Sequence, residues 1–233
     1  MTGKSAVLEF TDVTLPAGNE YDLGLSSANL RVGAGELALV LVDPQHGRVP
    51  IADAAEGLLE PQSGAVLFLG RDWRHMDPDH ASACRARIGR VFHGPAWISN
   101  LDVDENITLK ERHHSRRPWE EIRREALSLA QAFGFHDLPC KRPGWMSREE
   151  LYRAQWVRAL LGHPTFLLLE FPERDAADAT ISTATDAVRR SLDHGACALC
   201  VTSLPQLWRD HGLKVASKYR IVDSGLTPME PDA

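Results

Sequence analysis

Apolar and polar residues partly alternate from position 7 to position 15, and the run breaks at Pro16-Ala17-Gly18. That pattern predicts a half-buried strand followed by a turn. Leu30-Arg31-Val32 leads into a glycine-flanked turn, Gly33-Ala34-Gly35. Residues 37–42 then carry no polar position, as expected of a strand covered on both faces. A helix is expected over 51–59, a short strand over 65–69 ended by Gly70, and a helix over 77–87 started by Asp77-Pro78. Residues 88–93 read as a strand. Residues 165–169 have the almost wholly apolar character of a central parallel strand. A helix over 176–192, a buried strand over 196–202 and a last strand over 219–222, closed by Asp223-Ser224-Gly225, complete the series.

Between 94 and 153 the strand patterns vanish. Residues 118–133 have helical spacing, with Ile122, Ala126, Leu127, Leu129, Ala130 and Phe133 on one stripe. Ser147, with Glu150 three positions on, forms a capping box ahead of a helix over 148–161. The series therefore predicts an α/β fold: one domain over 1–233, a mainly parallel central sheet, an antiparallel β segment at the N-terminus, and a helical insertion over 94–153.

Composition adds exclusions. The 233 residues are 43% hydrophobic and 25% charged, and a net charge of −6 gives no global attraction to nucleic acid or acidic membranes. No apolar run approaches the roughly 20 residues that span a bilayer, and from the polar start, Met1-Thr2-Gly3-Lys4-Ser5, no secretory signal is expected. A cytoplasmic protein is expected, peripheral to the inner or cytoplasmic membrane through partners. Cys197-Ala198-Leu199-Cys200 places its two thiols on opposite faces of a strand, where they serve as small core residues rather than a metal or disulfide pair. Cys84 and Cys140 add no second such string. The basic segment 110–117 reads as a solvated loop, with contact to an acidic lipid or partner as its alternative.

The chemistry lies in the segment from Gly35 to Gly64. A buried strand, a loop Asp43-Pro44-Gln45-His46-Gly47-Arg48-Val49-Pro50, a helix and a turn follow in the order of a phosphate-binding loop. Arg87-Ile88-Gly89-Arg90-Val91-Phe92-His93, Met146-Ser147-Arg148-Glu149-Glu150, Phe166-Leu167-Leu168-Leu169-Glu170-Phe171-Pro172 and Val201-Thr202-Ser203 come after it at fixed separations. Over nearly the whole chain this order resembles the nucleotide-binding subunit of ATP-binding cassette (ABC) transporters. These segments fall on the family's Q-loop, signature, Walker B and switch. The resemblance implies a P-loop NTPase-like fold with ATP and Mg²⁺ as cofactors. It also implies a homo- or hetero-dimer with another such ATPase-like subunit, and an integral membrane permease as partner. The neighbourhood of 100–107 looks most like importers and lipid-trafficking systems of the Mla/Mce type.

Residue by residue, the resemblance fails at the chemistry. Val42 and Gln45 stand where the first two loop glycines belong, Pro44 removes a donor, and only Gly47 remains. Arg48 replaces the lysine, and Val49 replaces the Mg²⁺-ligating hydroxyl. His93 stands at the Q-loop glutamine and is a poor ligand for a hard cation. Glu170 keeps a Walker B carboxylate, but Phe171 replaces the catalytic base and Ser203 the switch histidine. Arg148 and Glu149, between Ser147 and Glu150, replace both signature glycines. The adenine-stacking aromatic falls on Pro16 or Ala17, with Tyr21 as a backup. Phe171 is expected to plug emptied nucleotide space, and Arg48 to pair with Glu170 where the triphosphate would lie. No intact catalytic residue, metal ligand set or bound cofactor is then expected.

The first reading is a catalytically silent subunit of a permease complex. Trp97 and Ile98, apolar residues in a loop, would receive a partner helix or else pack beneath the insertion. The alternatives are a divergent but active ATPase, in which Arg48, Glu170 and His93 are functional replacements, and a soluble scaffold that reuses the fold.

Overall fold

A computed structural model describes residues 6–18, 20–94, 96–173, 177–205 and 212–229. Ten strands form one continuous ladder. β1 (Ala6–Leu15) lies between β2 (Leu25–Gly33) and β4 (Ser63–Phe68), antiparallel to both, and β5 (Arg71–Asp72) pairs antiparallel with β4. β3 (Leu37–Leu41) lies between β8 (Cys197–Thr202) and β9 (Ser217–Val222) and runs parallel to each. β7 (Phe166–Glu170) is parallel to β8 and to β6 (Ile88–Val91). β10 (Gly225–Met229) turns back antiparallel on β9 and meets β2 at a single parallel bridge, joining the two halves in the order β5-β4-β1-β2-β10-β9-β3-β8-β7-β6.

The apolar run at 37–42 fulfils its expectation: all five residues of β3 are buried. Ala38 and Val40 join the core on one face of the sheet, and Leu37 and Leu39 the core on the other. Cys197 and Cys200 divide in the same way, as period-2 strand geometry requires. The second core is closed by α3 (Val103–His114), α4 (Trp119–Ala132), α5 (Arg148–Leu160) and α6 (Asp178–Asp193). Three of these helices, α3 to α5, lie between β6 and β7.

Several elements differ from the sequence expectation. The helix after the loop, α1, covers only Ile51–Ala55. Gly57 adopts φ +66°, and the amides of Leu58 and Leu59 both fold back onto the Asp53 carbonyl, so the chain turns away before a second turn can form. The basic segment is not a loop at its start: residues 110–114 complete α3, and Arg117 pairs with Glu111 and Glu125 at 3.4 and 2.6 Å. Strands β5 and β10 gave no periodic signal; two residues and a Gly-Leu-Thr-Pro-Met string are too short or too mixed to show one. The capping box at Ser147 and Glu150 is present as expected.

Candidate functional site

The loop between β3 and α1 exposes its backbone toward a carboxylate from the turn after β1. Asp22 Oδ2 accepts hydrogen bonds from the Gly47 amide at 3.0 Å and the Arg48 amide at 2.8 Å, while the Asp22 amide donates to the Arg48 carbonyl at 2.9 Å. Upstream, the Gln45 amide donates to Asp43 Oδ1 at 3.0 Å and the His46 amide to the Asp43 carbonyl at 2.9 Å. Four consecutive loop amides, 45 to 48, thus end on acceptors of the chain itself. Gly47 is what allows the approach: a Cβ there would lie 2.5 Å from Asp22 Oδ2. Val42 and Val49 are buried in the core, and Gln45 points to solvent.

Arg48 does not pair with Glu170, as the sequence suggested. Its guanidinium bonds Asp53 at 2.7 Å and lies 5.2 Å from the centre of the Tyr21 ring. Tyr21 also donates to Asp53 at 2.8 Å. Burial and that hydrogen bond push the Tyr21 phenol up to about 12. Arg90 is the cation that reaches Glu170. It contacts Glu170, Asp53 and Glu56, each at 2.7 Å, from the middle of β6, with a side chain only 4% exposed. The swap has a geometric cause: Arg48 is tethered to Asp22 through its backbone, whereas β6 is the direct neighbour of β7, with Arg90 opposite Leu168, two residues before Glu170 and on the same face. Asp53, with burial alone working against its charge, is nevertheless held below the usual carboxylate range by Arg90, Tyr21 and Arg48 together. Glu56 moves the other way, because its burial outweighs the contact with Arg90.

Phe171 is buried and packs against His93, ring centres 4.9 Å apart, so the structure brings these two sequence candidates together. Ser203 donates from its hydroxyl and its amide to Glu173 Oε1 at 3.1 and 2.9 Å. Ser147 and Glu150 spend their side chains on closing the first turn of α5. Arg148 and Glu149 are exposed beside them. Trp97 is half-buried under Arg158, and Ile98 is 45% exposed.

Asp22, Asp53, Glu56, Arg90 and Glu173 were not among the sequence candidates. Arg90 did carry a signal, since a charge inside an otherwise apolar strand must be paired when buried. Asp53 in an apolar helical stretch carried the same one. Asp22 carried none, for its partner lies 25 residues away in the chain.

A model of the ABC transporter family matches residues 25–172. The sulfate/thiosulfate import ATP-binding protein CysA of Methylococcus capsulatus is 30% identical over 205 residues, which cover 86% of this chain and 56% of that protein. The intermembrane phospholipid transport system ATP-binding protein MlaF of Haemophilus influenzae is 24% identical over 168 residues, 71% of this chain and 62% of MlaF. The chain therefore spans less than two thirds of the length of these relatives. In solved structures, an ATP binding subunit of an ABC transporter superposes with TM-score 0.81 at 17% identity, over 94% of this chain and 88% of that one. The dimeric bacterial ABC transporter cassette MJ0796 superposes with TM-score 0.81 at 20% identity, over 94% and 96%.

Proposed function

The chain belongs to the ABC transporter ATP-binding family, and from that premise we propose that it is a catalytically silent member. It keeps the scaffold, pairs with a second ATP-binding-type subunit and docks on an integral membrane permease, but does not hydrolyse ATP. Relatives named for sulfate/thiosulfate import and for intermembrane phospholipid transport support a place in a transport system, with the chain held at the membrane through its partners.

The observation that carries this reading is the internal occupation of the loop. Asp22 sits on the amides of Gly47 and Arg48 as an anion would. A phosphate could take that place only by expelling a carboxylate that already makes two charge-assisted bonds, each worth about 1.5–3 kcal/mol. About 1.4 kcal/mol is tenfold in affinity, so the loss is large. Around it, Glu170 is held by Arg90, Val49 offers no oxygen and Phe171 cannot take a proton from water. On this reading the residues present do not fit a Mg²⁺-triphosphate. A homodimer would hold no intact site, because Arg148 and Glu149 also replace the signature glycines that would close over the partner's nucleotide.

Calorimetric titration of the chain with ATP and with ADP, each with and without Mg²⁺, tests the proposal. No saturable heat up to millimolar nucleotide is expected. Micromolar affinity that strengthens with Mg²⁺ would refute it.

The second reading, a divergent active ATPase, draws support from Glu173. Its Oε2 is buried without a hydrogen-bond partner among the described residues, while Oε1 holds Ser203. Steady-state phosphate release by the wild type, abolished in Glu173→Gln, would favour it; the silent reading expects no measurable release from either.

A further inference from the structure

A cleft of about 690 Å³ opens between α4 and α6. Helical spacing builds its walls. Glu125 and Leu129 share one face of α4, and Ala187, Arg190 and His194 share one face of α6 and its C-terminal cap. The turn of residues 160–165, between α5 and β7, and Ala196, just before β8, close the floor. The cleft thus lies at the N-terminal ends of β7 and β8. The loop after β3 lies at the C-terminal end of a strand parallel to β8, and β8 is parallel to β7, so loop and cleft occupy opposite edges of the sheet.

The floor is apolar and the mouth is cationic. Leu160, Pro164, Ala187 and Ala196 are buried, and the two alanines leave room that larger side chains would fill. At the mouth, Arg190 is exposed and has no acidic partner among the described residues. His194 follows one turn later, its Nδ1 donating to the Arg190 carbonyl at 2.6 Å. His163, on the floor turn, holds a left-handed φ of +52° with its side chain exposed, a conformation that no packing repays. The carboxylate on the wall is already spent: Glu125 Oε2 pairs with Arg117 at 2.6 Å, and Oε1 accepts the Gly162 amide at 2.9 Å. A cavity of this size, with an apolar floor and a few convergent polar groups, has the form of a small-molecule site. We propose that the cleft binds a small organic acid, its aromatic or branched apolar body on the floor and its single anionic group on Arg190. Such a ligand touches the helical insertion through α4 and the helix that covers the sheet through α6. The site stands apart from the nucleotide loop and does not depend on whether that loop takes ATP.

The test uses the full chain and two fluorescent probes. Anilinonaphthalene sulfonate has an apolar aromatic body and one sulfonate; phenylnaphthylamine has the same body without the charge. We expect saturable one-site binding of both, with the sulfonate tighter by about fivefold, the worth of an ion pair at an exposed mouth. Arg190→Gln should bring the sulfonate down to the affinity of the neutral probe. Ala187→Leu, which fills the floor, should lose both probes without lowering the melting temperature. Should that variant fail to fold, Ser128→Trp on the exposed rim blocks the cleft instead. Absence of saturable binding overturns the proposal, and so does binding that neither Arg190→Gln nor the blocking variant alters. Displacement by inorganic phosphate at the probe's own concentration would assign the cleft to a bare anion and also overturn it. Displacement by ATP with Mg²⁺ would place the probe in the nucleotide loop and overturn both this proposal and the silent reading, whereas the other failures leave the silent reading standing.

Discussion

Arg90 organises three carboxylates from a position that water scarcely reaches. Replacing it with methionine keeps an unbranched apolar stem but shortens the side chain and removes its charge, leaving Asp53, Glu56 and Glu170 to repel one another. Loss of one side of a buried ion cluster costs about 3–5 kcal/mol, and urea unfolding of Arg90→Met should show a loss of that size. The same cluster sets a pH dependence. Asp53 has a depressed folded pKa, so the stability it contributes is complete above its ordinary value near 4 and is lost as pH falls through the folded value. Glu56, raised by burial, has the opposite sign: it loses stability as pH rises from its ordinary value through its raised one. Asp53→Asn should therefore lower the urea midpoint at pH 7, and the difference from wild type should shrink as pH falls below about 4 and close once pH is below the depressed folded value. The sequence suggested Arg48 and Glu170 as each other's partner. It could not show that they find different ones, since pairing depends on which strand lies next to β7.

Among the elements, those with long periodic patterns were legible and those ended by a single residue were not. α5 was marked by Ser147 and Glu150, and the structure has both reciprocal bonds. Ser147→Ala should cost about 1 kcal/mol in thermal or chemical unfolding, the usual worth of such a cap. α1 was expected to run to 59 because apolar residues continue through Leu58 and Leu59. Gly57 ends it, and its left-handed φ is packed so closely that a Cβ would lie 2.4 Å from the Trp73 indole. A glycine in a helical pattern is tolerated or terminating according to what packs against it, and Trp73 is distant in sequence. The start of the basic segment was assigned to a loop because its charges hide the helical period. Its C-terminal basic residues are in fact well placed at the end of a helix.

At the scale of the molecule, the scaffold that in this family closes around nucleotide is present, with its loop amides answered from within. ATP with Mg²⁺ should then leave the sedimentation coefficient of the purified chain unchanged; a nucleotide-dependent shift from monomer to dimer would contradict the silent reading. Among the described residues no helix is long and apolar enough to cross a membrane. Apolar periodicity and motif order were enough to establish the family and its parallel sheet, because burial of strand and helix faces is a local, repeating demand that each segment states on its own. They also raised the expectation that Arg48, Val49 and Phe171 stand where the family has its lysine, hydroxyl and base, since the chemistry of a side chain is legible without coordinates. The hold of Asp22 on the loop amides and the capture of Glu170 by Arg90 emerged with the folded chain. Each is a relation between side chains remote in sequence, and electrostatic pairing depends on distance and burial, which exist only once the strands and helices are packed.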